Sequence, residues 1–323
     1  MNALRRFLIP LFTLLIYIGH AQATTWDEPW HREVVSAATS FGLYEIVKST
    51  PDVLTLKGLK HIAGEETGPL IELKSFYALR LTSHSNGHEP EFNLPTGAQA
   101  YFHLKRAGNA WSIATPTAGY APVGADRKVF ATYRISAHQA KIDAQLYEET
   151  QLCIFQVLHG KSNCDPRIAA FITTELAKPA QGISEGSTVA SLDDFFRQHA
   201  ALETAGVIHH PLPDETLERF LSLPDMHVQL SALRVLAAGQ RADKAARLMR
   251  FVEDEKASLT ARILAAVFLK EVGAREMKQR LLDYAAQASE EETGLGIAVM
   301  DPRIGTNFPV TLRDAVKISG ERL

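Results

Sequence analysis

Near residue 137 the spacing of apolar side chains changes from every second residue to every third or fourth. A chain with that change is restricted to a β-rich part followed by a helical part. Before it, Ala98, Ala100, Phe102 and Leu104 alternate with Gln99, Tyr101, His103 and Lys105, the period of a strand with one face buried and one in water. Ala107-Gly108-Asn109 breaks that run, and Trp111 and Ile113 resume it. A hairpin is expected there, because tight turns use residues that tolerate positive φ. Further strand-like runs cover 43–48, 52–61, 70–82 and 128–136, with a polar loop at 83–93. Six short strands in about 100 residues predict a small antiparallel barrel or sandwich.

After Ser136 the helical beat takes over. Leu146, Cys153, Ile154, Val157 and Leu158 form one stripe, and Gly160 is placed to stop it. Asp165-Pro166 opens a second helix carrying Ile168, Phe171, Ile172 and Leu176. A third is expected to begin near Ser191, with Asp193-Asp194 in its first turn. The run Ser231 to Ala238 is echoed by Thr260 to Ala266, and each copy is followed by a second amphipathic segment. Leu312, Ala315 and Val316 then predict a C-terminal helix folded back on the last unit.

With alanines set against leucines in successive helix pairs, residues 191–285 resemble HEAT or armadillo-type repeats. The resemblance implies a stacked helical layer whose exposed face can hold a partner, and a non-repetitive bundle is the alternative. In the first half, Ala100 to Leu104 entering a hairpin and Ala118-Gly119-Tyr120 leaving it resemble an OB-type barrel of the netrin-like kind. The cysteines of the extracellular members of that group are absent, so no inhibitor activity is implied. The expected fold is α+β in two domains: a small antiparallel OB-like β-barrel over 24–137, then an all-α HEAT-like domain over 138–323.

Residues 1–23 read as a secretory signal: Arg5 and Arg6, an apolar run from Phe7 to Ile18, and the box Ala21-Gln22-Ala23. Cleavage near Ala23 is expected to leave the chain in the periplasm or the medium. The apolar run falls short of the ~20 residues that span a bilayer, so no transmembrane segment is expected in the mature chain. With 34 basic and 37 acidic residues the formal charge is −3. Nucleic acid is not an expected partner, since its binders carry a basic excess.

His84, His88, Glu89 and Glu91 share the loop SHSNGHEPEF and have the donor chemistry for zinc, as a metal-dependent envelope hydrolase would need. Gly87 and Pro90 oppose a helix that would align the imidazoles, and plain loop polarity is the competing reading. Trp26, Trp30 and Trp111 could bind a glycan; the alternative is an aromatic plug over one end of the barrel. Cys153 and Cys164 are the two cysteines. They can pair only if the first helix ends early or the second is displaced, so a bond and a free pair both stay open. His209-His210 reads as a turn before Pro211, and Gly160-Lys161-Ser162 lacks the frame of a phosphate loop. Gly182-Ile183-Ser184-Glu185-Gly186 has the G-x-S-x-G spacing but follows a helical stripe and Pro179 rather than a strand-like run, so it is not read as a nucleophile elbow, and no residue is assigned a catalytic or cofactor-binding role. The expected function is that of an exported non-enzymatic binding or adaptor protein, its helical surface meeting another envelope protein.

Overall fold

The computed structural model describes residues 28–50, 52–74, 92–136, 138–161, 164–184, 186–293 and 309–323. Strand β1 (Ser40–Ser49) pairs antiparallel with both β2 (Val53–Gly64) and β4 (Gln99–Ala107). β2 pairs with β3 (Leu70–Lys74), and β5 (Ala110–Ser112) turns back on β4 through Gly108-Asn109, where Gly108 takes φ 60°. The contact of β3 with β5, at Leu73 and Trp111, closes a five-stranded barrel. That contact is parallel, unlike the all-antiparallel barrel expected. Strand direction cannot alternate around a ring of five, so one neighbouring pair must run the same way. β6 (Tyr120–Pro122) adds to the outer half of β4.

Ile46, Leu54, Leu56, Leu73, Phe102 and Leu104 are among the side chains that fill the barrel. The alternation in β4 is as read, with Ala100, Phe102 and Leu104 inside. Its other face is not in water: Tyr101 and His103 are each 2% exposed. Helices α1 (His31–Ala37) and α2 (Ala144–Leu158) cover them. Tyr101 meets Tyr147 at 4.9 Å, and His103 stacks on Phe41 at 4.3 Å. The barrel wall is thus one side of a second, larger core that runs on to Val316 in the last helix.

β7 (Lys128–Thr132) and β8 (Gln139–Asp143) form a separate hairpin packed on α2 and on the first long helix of the next layer. β8 lies past residue 137, where helical spacing was expected. Five residues ending in the cap Asp143, which accepts from the amides of Gln145 and Leu146, are too short to stand out from the helix that follows. At the other end of α2 the amide of Gly160, at φ 77°, bonds to the Val157 carbonyl, and that of Lys161 to Gln156. This Schellman stop folds the chain back along the helix. Cys164 thereby comes within 5.0 Å of Cys153, Cα to Cα, and the two are bonded.

Helices α3 (Pro166–Ala177), α4 (Val189–Val207), α5 (Asp214–Leu221), α6 (Met226–Ala238), α7 (Lys244–Glu253), α8 (Leu259–Glu271), α9 (Lys278–Ala285) and α10 (Leu312–Arg322) complete the chain. α4, α6, α8 and α10 touch in succession, with α5 and α7 against α6 and α9 against α10. Every second helix forming a central row is a repeat-like arrangement. Fully buried Ala200, Ala201, Ala232, Ala265 and Ala266 suit that row, because small side chains let neighbouring helices approach. α4 starts earlier than expected, capped by Thr188, so Asp193 and Asp194 fall in its second turn and Asp194 pairs with Lys178. The tail folds back as expected: a Cβ on Gly320 would sit 2.9 Å from Leu282.

Candidate functional site

Polar residues on two apolar helices meet where the barrel joins the helical layer. α4 carries His199 and Glu203 four residues apart; α6 carries His227, Ser231 and Arg234 at i, i+4 and i+7. One helical face holds each set. The turn after β7 brings Arg134 and His138 to the same place. Arg134 is 2% exposed, Glu203 1% and Arg234 8%.

Arg134 donates from Nη2 to Nδ1 of both His138 and His227, at 3.0 Å each. Its Nη1 reaches the His227 carbonyl at 3.1 Å and Ser231 Oγ at 3.4 Å. Burial lowers its pKa to about 10, which leaves it a cation at neutral pH. Every acceptor it has is neutral. Glu203 receives the Ser231 hydroxyl at Oε1, 2.8 Å, and Arg234 Nε stands 2.7 Å from Oε2, a charge contact outside hydrogen-bond alignment.

Serine, histidine and acid are therefore together, but with the wrong proton directions for nucleophilic attack. Ser231 gives its only proton to the carboxylate, so the 3.2 Å contact with His199 requires Nδ1–H of the imidazole to donate to Oγ. A general base must accept from the nucleophile, not donate to it. His199 Nε2 has no partner and is buried. Burial, with Arg134 the next cause, pushes its pKa well below the usual range. The trio holds helices together.

A second buried polar group lies on the barrel side. His31 donates from Nε2 to Gln151 at 2.7 Å, and burial lowers its pKa to about 4. His103 has an orphaned Nε2, and burial lowers it well below normal. Tyr133 shares a 2.6 Å bond with Thr150.

Beside the first cluster opens a groove of about 1020 Å³, bounded by the segment before α1, by α6 and by α8. Its apolar wall includes Ala237, Leu264, Phe268 and Val272; Arg32, Glu33 and Glu271 stand at its edge. The Arg234 guanidinium lies over the Trp30 ring at 3.8 Å, an arrangement favoured by the ring quadrupole. Among the described residues no hydrogen bond reaches Nη1 or Nη2 of Arg234. Glu28 at the groove is committed, accepting from Ser136 N and Oγ and from Thr117 Oγ1 at 2.6 to 2.7 Å. Glu33 likewise caps the Trp30 amide at 3.0 Å.

Of the residues singled out in the sequence, Trp30 lines this groove, whereas Trp111 is buried in the barrel with Arg106 over its ring at 4.8 Å. Trp26, His84, His88, Glu89 and Glu91 lie outside the described residues. Among the described residues no group of three or more His, Cys, Asp or Glu side chains is arranged to hold a metal. His209, at φ 56°, bonds to the Ala238 carbonyl and makes the turn expected before Pro211. Arg134, His199, Glu203, His227 and Arg234 are not singled out by any motif in the sequence. For the four on α4 and α6 the available signal is polar residues at helical spacing inside apolar stripes, whereas Arg134, in the turn after β7, has none. Compared with protein-family models, curated proteins and solved structures, the chain finds no significant match.

Proposed function

We propose that this chain is an exported, non-enzymatic binding protein of the cell envelope. The observation that carries the reading is Arg234: a buried cation in the wall of a large groove, with both terminal nitrogens uncommitted among the described residues. Binding sites are commonly concave, mostly apolar and supplied with few polar anchors, often where two structural units meet. The donor role of His199 toward Ser231 argues in the same direction, because it leaves that trio without a base. On this reading the barrel is OB-like and the helices HEAT-like, and the groove, with the helical surface around it, receives the partner or ligand. In the described residues no helix is long and apolar enough to cross a membrane.

The test is recovery of the protein from its own envelope fraction. N-terminal sequencing is expected to begin at Thr24, and native mass spectrometry to show a retained non-covalent mass. Val272→Trp, which fills the groove, is expected to abolish retention. An uncleaved cytoplasmic chain, or hydrolysis of an ester or peptide lost in Ser231→Ala, would contradict the proposal.

A further inference from the structure

We infer that the groove between the pre-α1 segment and helices α6 and α8 takes a small amphiphilic carboxylate, its anionic end on Arg234 and its apolar body along Leu264, Phe268 and Val272. The inference rests on the binding-protein reading and names the class of ligand.

Two independent features support it. One is the geometry of Arg234. Nε is held by Glu203 and one face of the guanidinium lies on Trp30. The side chain is thereby positioned by a charge contact and a ring face, and among the described residues no hydrogen bond takes Nη1 or Nη2. Those nitrogens form the planar fork that matches two carboxylate oxygens. The other feature is the wall beside the guanidinium, where Leu264, Phe268 and Val272 line the groove and offer apolar surface to the body of a ligand anchored on Arg234.

The edge agrees with an anion bound deep and an apolar body bound above it. Arg32, Glu33 and Glu271 are exposed, one cation and two carboxylates whose fields are screened by water. Glu28 accepts three hydrogen bonds away from Arg234, and Glu33 caps the Trp30 amide. The wall beside Arg234 is aliphatic and aromatic, which suits a chain or a ring better than a sugar. A bare anion such as acetate would reach Arg234 but leave that wall in water.

Calorimetric titration of the mature protein with octanoate, octanol, octyl phosphate and acetate tests the assignment. Octanoate is expected to bind, with octanol and acetate each weaker by roughly tenfold or more, since each lacks one half of the recognition. Arg234→Gln is expected to lose the preference for octanoate over octanol. Because that change leaves Glu203 without its cation, folding is verified by circular dichroism. Val272→Trp, which leaves the polar cluster intact, is expected to lose octanoate as well. Equal binding of octanoate and octanol, tighter binding of octyl phosphate, or octanoate binding unchanged in both variants overturns the carboxylate. A folded protein that ignores all four probes yet retains a native mass lost in Val272→Trp also overturns it, and leaves the binding-protein reading standing.

Discussion

Nη2 of Arg134 lies 3.0 Å from Nδ1 of His227, so a buried guanidinium is held by a ring that must stay neutral to accept it. Burial, together with the nearby Arg134 charge, lowers the His227 pKa to about 3. The same guanidinium bonds Nδ1 of His138, and through Ser231 the network reaches Glu203 and Arg234. One cation from the turn after β7 therefore fixes the ring orientation of His227 on α6 as well as that of His138 in its own turn.

Acid is expected to unfold this protein through its histidines. His31 and His227 have folded values of about 4 and about 3, and His103 and His199 are also well below the ordinary value. Between the unfolded value of about 6.5 and those folded values, the unfolded chain binds protons that the native chain refuses. Stability is thus intact above about pH 6.5 and falls with pH through that window, by up to ~1.4 kcal/mol per pH unit for each histidine. Urea midpoints at pH 7.5, 6, 5 and 4.5 measure it. A flat profile over that range would contradict the neutral-histidine core.

Removing Arg134 tests the network directly. Arg134→Met takes donors from His138, His227 and Ser231 but strands no opposite charge, since its acceptors are neutral. The expected cost is about 2–4 kcal/mol, from several buried acceptors left unmade. The double change with His227→Phe is expected to cost less than the sum of the two, by about 1–2 kcal/mol. Additive effects in that cycle would mean the two side chains are not coupled.

The barrel's inner face was legible because Ala100, Phe102 and Leu104 repeat every two residues, and period alone assigns them to one side. The fate of Tyr101 and His103 was not, because what covers them comes from His31 and Tyr147, tens of residues away in the chain. β6 and β8, with three and five residues, carry too little pattern to separate from their neighbours. The polar cluster was half legible. His227, Ser231 and Arg234 share a helical face by spacing, yet only the packing of α4 on α6 shows that Glu203 meets two of them. The groove and the placement of Arg234 in its wall depend on that meeting, so no single stretch of sequence contains them.

Reduction of the Cys153–Cys164 bond is expected to lower stability without altering the fold. The bond closes a loop of about twelve residues, worth up to ~3 kcal/mol by the chain-entropy account. The Schellman stop at Gly160 and the Asp165 cap on α3 remain when it is broken. Cys153→Ser/Cys164→Ser is therefore expected to keep its far-ultraviolet spectrum and melt lower. A midpoint unchanged under reducing and oxidising conditions alike would show that the bond contributes nothing.

Both halves of the chain are expected to unfold together. Phe41 sits in β1, yet its ring packs on Tyr147 of α2 and on His103, inside the core that continues through the helices. Phe41→Ala leaves a cavity at that seam, and aromatic deletions of this kind cost about 3–5 kcal/mol. If the seam couples the halves, the far-ultraviolet helical signal and near-ultraviolet tyrosine signals from the barrel wall fall in one shifted transition. If the barrel were an independent domain, Phe41→Ala would lower a barrel transition and leave the helical one in place. The continuous core favours the single transition, because the Phe41 ring meets Tyr147 at 6.4 Å within one buried cluster, and a cavity opened between them weakens what each half gains from the other.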